Sequence, residues 1–117
     1  MDILVYRIED KEYFIGPYQH PDTKDVILNQ YSGYKFHPTP TDDIPNLKWV
    51  QIRDYHFGFE SLDKLFEWFD CEETHNLFKV KGFQVSIYKV DSDNVKVGSK
   101  QVAFKRNLAE LVDYLDF

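Results

Sequence analysis

All five prolines of this 117-residue chain fall between positions 17 and 45: Pro17, Pro21, Pro38, Pro40 and Pro45. Proline fixes φ and removes a backbone donor, so helix interiors and central strands exclude it. Extended regular structure is therefore expected before residue 16 or after residue 48. Residues 16–48 read as a long loop with one short element around Val26–Tyr34. A connection of that length is uncommon unless it has a task or is packed by its own side chains. Tyr18, Tyr31, Tyr34 and Phe36 are available for that packing.

The flanking segments are patterned. Residues 2–8 place Ile3, Val5 and Arg7 on one face and Leu4, Tyr6 and Ile8 on the other, as in a central strand. Glu9-Asp10-Lys11-Glu12 is a polar turn, and Tyr13-Phe14-Ile15 is expected to return as a second strand before Gly16-Pro17 ends it. Trp49–Ile52 reads as a strand leading into Phe57-Gly58-Phe59, where the glycine permits close backbone packing. Ser61 is a good N-cap for a helix whose Leu62, Leu65, Phe66 and Phe69 share a face. Asp70 with Glu73 reads as a capping box for a helix through Leu77 and Phe78, stopped at Gly82. Phe83, Val85 and Ile87 alternate with Gln84, Ser86 and Tyr88, a strand with one core face. Asp91–Asn94 is a turn, followed by strands at Val95–Val97 and Val102–Phe104. Asn107 with Glu110 is expected to cap a last helix carrying Leu108, Leu111, Val112 and Leu115 on one face. The expected class is α+β: a single compact domain over residues 1–117, with a small, mostly antiparallel twisted sheet, three short helices and the long Pro-rich loop.

Composition narrows the function classes. Hydrophobic residues at 43% and aromatics at 17% are too many for a disordered chain. One cysteine, Cys71, excludes an internal disulfide framework and a thiolate zinc site, and fits a reducing compartment. The first residues lack a signal peptide's basic and apolar regions, and no run approaches the ~20 apolar residues of a membrane helix. The expected location is the cytosol, with no membrane partner. Fourteen Lys and Arg against twenty Asp and Glu give a net charge of −6, which argues against a protein that coats nucleic acid. That charge is uneven. Between Glu60 and Glu73 stand six acids (Glu60, Asp63, Glu67, Asp70, Glu72 and Glu73) and one base, Lys64. Between Lys79 and Arg106 stand seven bases and two acids.

Candidate chemistry is sparse. His20, His37, His56 and His75 are too far apart for a helical metal site. Asp91-x-Asp93 begins like a calcium loop, but Lys96 stands where the turn glycine belongs and Val102 where the bidentate glutamate belongs. No metal and no cofactor are expected. The glycines are scattered, so a phosphate-binding loop is absent. Ser61-x-x-Lys64 matches one element of acyl-serine enzymes, but a helix cap explains it better. Arg7, inside an apolar strand, must snorkel, pair with a carboxylate or meet an anionic ligand.

Two resemblances bear on function. Arg7 on the first strand, Ser61 ahead of a helix and Gln101 on a late strand resemble the core layout of ADP-ribosyltransferase folds. That resemblance implies that Arg7 contacts NAD phosphates, Ser61 lies beside the nicotinamide ribose, and Gln101 stands where the catalytic glutamate belongs. Glutamine there cannot supply the negative charge that steadies an oxocarbenium-like transition state. More of the chain is similar to a recurring type of small bacteriophage and prophage protein. The residues that carry this are Val5-Tyr6-Arg7-Ile8-Glu9, Gly16-Pro17-Tyr18, His37-Pro38-x-Pro40, Phe57-Gly58-Phe59-x-Ser61-Leu62-x-x-Leu65-x-x-Trp68-Phe69, Gly82-Phe83-x-Val85 and Gln101-Val102-x-Phe104. It implies a mobile-element origin and action in the cytosol of a bacterial host.

The reading is a non-catalytic protein-interaction module that binds and inhibits a host protein through an acidic helical face, Glu60, Asp63, Glu67, Asp70, Glu72 and Glu73. The alternatives are an NAD-binding protein using Arg7, Ser61 and Gln101, or a single-stranded nucleic-acid binder using the basic strands 79–106 with tyrosines such as Tyr88 for stacking. The protein is expected as a monomer or homodimer.

Overall fold

The computed structural model describes residues 1–32 and 36–117. Strand β1 (Asp2–Asp10) is followed by helices α1 (Lys24–Gln30) and α2 (Pro40–Asp43), strand β2 (His56–Gly58), and helices α3 (Leu62–Trp68) and α4 (Glu72–Val80). Strands β3 (Phe83–Asp91), β4 (Val95–Val97), β5 (Val102–Phe104) and β6 (Glu110–Asp116) complete the order. Single 3-10 segments lie at Trp49–Asp54, Ser92–Asn94 and Arg106–Leu108. The class is α+β, with two three-stranded antiparallel sheets, ordered β1-β3-β6 and β2-β5-β4. An isolated antiparallel bridge between Tyr6 and Phe59 links them, with Tyr6 N–H to Phe59 O at 2.9 Å and the return bond at 2.8 Å.

The layers follow from which faces are apolar. One face of β1 and β3, carrying Ile8, Phe83 and Val85, packs on Leu65, Trp68, Phe69 and Phe78 of the α3–α4 region, with Ile27 and Tyr31 from the α1 end. Phe69 is a hub, its ring 5.1 Å from Tyr31, 5.8 Å from Phe78 and 6.1 Å from both Tyr18 and Phe59. The other face, with Val5, Tyr88 and Val90, packs on Val102 and Phe104 of the second sheet. Gly58 stands where the sheets come closest, and a Cβ there would lie 2.7 Å from Val5 Cγ1 and 2.8 Å from the Tyr6 carbonyl. The outer face of the second sheet is covered by Ile44 and Leu47 around Ala103.

That cover explains the Pro-rich segment. Asp43 accepts bonds from the Ser99 hydroxyl and from the backbone N–H of Lys100 and Gln101, which ties the segment to the β4–β5 turn. The Tyr18 hydroxyl donates to the Tyr31 carbonyl at 2.6 Å and accepts from the Trp68 indole at 2.8 Å. The element expected around Val26–Tyr34 is α1, which begins earlier and ends at Gln30. The part of that expectation at residues 33–35, including packing by Tyr34, lies outside the described residues.

Four expectations change. Tyr13–Ile15 forms no strand, because Asp10 folds the turn onto itself by accepting from Tyr13 N–H at 2.8 Å and Ile15 N–H at 2.6 Å. Trp49–Ile52 lies in a 3-10 segment, and its Trp49 and Val50 face solvent. At α4 the N-cap is Cys71, not Asp70, and it makes no side-chain cap bond. The Tyr31 hydroxyl instead holds that corner, accepting from Cys71 N–H at 3.2 Å and donating to Thr74 Oγ1 at 3.0 Å. The fourth change is the largest, since residues 110–116 form β6 and not a helix. β3 is covered on both faces and needs a second neighbour for its ladder, and β6 supplies it with a bulge between Ile87 and Tyr88. Every residue of β6 is exposed, and among the described residues no strand pairs with its outer edge.

Candidate functional site

The acidic residues occupy the entry to α3 (Glu60), α3 itself, the α3–α4 corner and the first turn of α4. Ser61 caps α3 as expected, accepting from Lys64 N–H at 3.2 Å. That start fixes the rotation of the helix, with Leu65 and Trp68 inward and Asp63, Phe66 and Glu67 outward. Asp63, Phe66, Glu67 and Asp70 line a shallow hollow of about 520 Å³. Phe66 stays 38% exposed there, its ring 5.3 Å from that of His75. Asp63 and Glu67 are four residues apart, so their side chains are neighbours on one face. Glu60 differs from the other acids because it is paired with Lys64 at 2.8 Å. Among the described residues no cation lies within ion-pair distance of Asp63, Glu67, Asp70, Glu72 or Glu73. All five are exposed.

Arg7 lies elsewhere, between the two sheets. Strand alternation puts Arg7 and Glu9 on the same face of β1, opposite Ser86 and Gln84 of β3. Arg7 is only 8% exposed; its Nε donates to Glu9 Oε2 at 2.9 Å and its Nη1 to the Phe57 carbonyl at 2.8 Å. The other Glu9 oxygen accepts the Tyr88 hydroxyl. Burial pulls the Arg7 pKa down and Glu9 opposes that, leaving a guanidinium that stays charged in proteins. Burial, reinforced by the bond to Glu9, raises the Tyr88 pKa, so that hydroxyl is a donor at neutral pH. Gly16 closes the other side, since a Cβ there would meet Arg7 Nη2 at 2.9 Å.

The residues singled out for NAD each have local partners. Arg7 holds Glu9 and Phe57, Ser61 caps α3, and Gln101 donates through Nε2 to the Pro38 carbonyl at 3.1 Å. Tyr88, expected as an exposed stacking platform, is fully buried, and the face it shares with Gln84 and Ser86 is covered by the second sheet. Among the basic residues of 79–106, Lys89 pairs with Glu110 at 3.5 Å and Lys100 donates to the Phe36 carbonyl at 3.1 Å.

Beside the Arg7 cluster lies a feature the sequence did not suggest. A hollow of about 590 Å³ is lined by Arg53, Asp54, Tyr55, His56, Lys105 and Arg106, among others. Arg106 stacks with its guanidinium carbon 4.4 Å from the Tyr88 ring centre and 5.7 Å from that of Phe14. Burial, then Arg7 and Arg106, pulls His56 down to about 4, so its imidazole is neutral at pH 7. The adjacent pair Lys105-Arg106 was the available signal; Arg53 joins it only through the fold.

Among the described residues no three metal-ligating side chains converge, and no helix is long and apolar enough to cross a membrane. The family described as Bacteriophage T4 Y00F protein matches residues 1–117. An uncharacterized 19.7 kDa protein in the motB-dexA intergenic region of Enterobacteria phage T4 is 39% identical over 95 residues, covering 77% of this chain and 51% of that protein. The chain thus spans about half the length of that relative. No solved structure matches.

Proposed function

Because the chain belongs to the Bacteriophage T4 Y00F protein family, we propose that it serves a phage as a non-catalytic module that binds a host protein through the acidic face of α3 and the α3–α4 corner. The observation that carries this reading is the hollow of Asp63, Glu67 and Asp70 around the partly exposed Phe66, with none of the three acids paired among the described residues. Acids near helix starts stabilise those helices by roughly 0.3–1 kcal/mol each. That accounts for Asp63 in the first turn of α3, whereas Glu67 lies in its last turn, where the helix dipole disfavours an acid, and the exposed aromatic among them adds the apolar contact that anchors interfaces. The fitting partner presents a cationic surface with room for one ring. Occupying such a surface would block whatever polyanion the host protein normally binds there, which is how binding becomes inhibition. Action in the host cytosol belongs to the same proposal.

The test is affinity capture from host cytosol with the wild-type chain and with the triple variant Asp63→Lys, Glu67→Lys, Asp70→Lys, both first checked for native circular dichroism. One host protein should be retained by the wild type, lost by the variant, and released as salt is raised, because screening shortens the reach of exposed charges. An identical set of captured proteins from both chains would refute this reading.

A further inference from the structure

We propose that the hollow between the Trp49–Asp54 segment, β2 and the Arg106–Leu108 segment is a binding site for a small phosphorylated anion of the size of pyrophosphate or a nucleoside diphosphate, held by Arg53, Lys105 and Arg106. Charge is the first argument. In a chain with a net charge of −6, these three cations gather around one concavity, against the single acid Asp54. Among the described residues none of the three is within ion-pair distance of a carboxylate. Surface cations without a carboxylate are common singly; three converging on a hollow leave a field that only an anion satisfies.

Preorganisation is the second. The Arg106 guanidinium lies over the Tyr88 ring and beside that of Phe14, an arrangement that fixes its plane and leaves its N–H groups at the edge for an acceptor. Tyr88 is itself anchored by its bond to Glu9. Phe14 reaches its place from a left-handed backbone conformation, φ 58°, which is rare for an aromatic residue. The two Asp10 bonds to Tyr13 and Ile15 hold that turn. Strain of this kind persists where the surrounding structure over-determines it, and functional sites are a common setting. Lys105 is also positioned by an aromatic ring, 6.0 Å from the centre of Tyr55.

The surroundings fit the same ligand. Buried Arg7 and the stacked Arg106 both press on His56, so the positive potential extends into the wall of the hollow, and a neutral imidazole there can donate to a phosphate oxygen. A volume of about 590 Å³ suits a small molecule. The overall negative charge disfavours a long polyanion, whose phosphates would extend beyond the three cations.

The experiment is titration of the full chain with pyrophosphate, with ADP and with a single-stranded oligonucleotide of about 12 nucleotides at low salt, where exposed charges are least screened. Calorimetry and the His56 ring resonances are the two readouts. Saturable binding of pyrophosphate or ADP is expected, with the His56 pKa rising from about 4 as the anion offsets Arg7 and Arg106. Arg106→Gln should weaken binding about tenfold or more, as expected for a lost charge-assisted hydrogen bond. Arg53→Gln with Lys105→Gln should do the same; Arg53 is exposed and Lys105 half-buried, so native circular dichroism of this variant is checked first. Phe14→Ala should weaken it several-fold while removing no charge. Lys79→Gln, on α4, should change nothing. The proposal is overturned if neither small anion saturates, if the hollow variants bind like the wild type, or if the oligonucleotide binds more tightly through these residues than ADP does.

Discussion

Arg7 and Glu9 sit two positions apart on one strand face, and their pairing decides what each can do. Glu9 is fully buried and bonded at both oxygens, to Arg7 and to Tyr88. Glu9→Gln would leave a buried guanidinium without its counter-charge and should destabilise the fold by about 3–5 kcal/mol. Chemical denaturation of the two proteins measures it. His56 beside them gives a pH signature. Its folded pKa of about 4 lies below the ordinary histidine value of 6.5 that holds in the unfolded chain, so unfolding takes up a proton between those values. Stability from this group is therefore complete above about 6.5 and lost as pH falls toward 4. His56→Gln should flatten the melting temperature against pH across that window relative to wild type. Alternation along β1 made the face of Arg7 legible in the sequence, but not that of Glu9, because Glu9-Asp10-Lys11-Glu12 reads as a polar turn and the strand runs on to Asp10. The burial of Tyr88 was not legible either, because Gln84, Ser86 and Tyr88 look like a wet face until the second sheet is placed over them.

At the scale of elements, two glycines separate steric demand from backbone demand. A methyl at Gly58 would strike Val5 and the Tyr6 backbone at 2.8 Å or less, whereas at Gly82, φ +77°, it would meet nothing within 4 Å. Gly58→Ala should cost about 1–3 kcal/mol by forcing the sheets apart. Gly82→Ala should cost about 1–2 kcal/mol from the left-handed conformation alone. Solvent-exposed reporters on each sheet would tell them apart, since only the first shifts resonances on both. Elements β1, β3 and α3 were legible because periodicity agrees with their packing, and at α3 the Ser61 cap agrees as well; α4 was legible from its apolar spacing, although its cap lies at Cys71 and not at Asp70. The segment 107–116 was not. Its leucines fit a helical face, but the vacant side of β3 is a long-range demand that no local pattern records. Trp49–Ile52 failed for the opposite reason, because Trp49 and Val50 are apolar yet turned outward while Ile52 packs inward from a 3-10 turn. The acids of α3 could be placed on a surface from their spacing; the basic hollow joins residues about fifty positions apart and had no such sign.

For the whole molecule, the feature with the widest consequence is the bare flank of β6. Leu111, Val112, Tyr114 and Leu115 stand partly exposed along it, which would ordinarily invite another chain to continue the ladder. A second copy laid antiparallel and centred on Asp113 would set Asp113 against Asp113 and Glu110 against Asp116, and like charges directly opposite repel. Lys11 already offsets Asp116 and Lys89 offsets Glu110, at 2.6 and 3.5 Å, while Asp113 has no cation within reach among the described residues. Asp113 is thus the sentry of that flank. Asp113→Val should let two copies pair through β6 at concentrations where the wild type stays dispersed, visible as a doubled mass in sedimentation; the pairing is two-fold, uses both free edges and so closes at the dimer. One carboxylate then separates a lone copy from a closed pair.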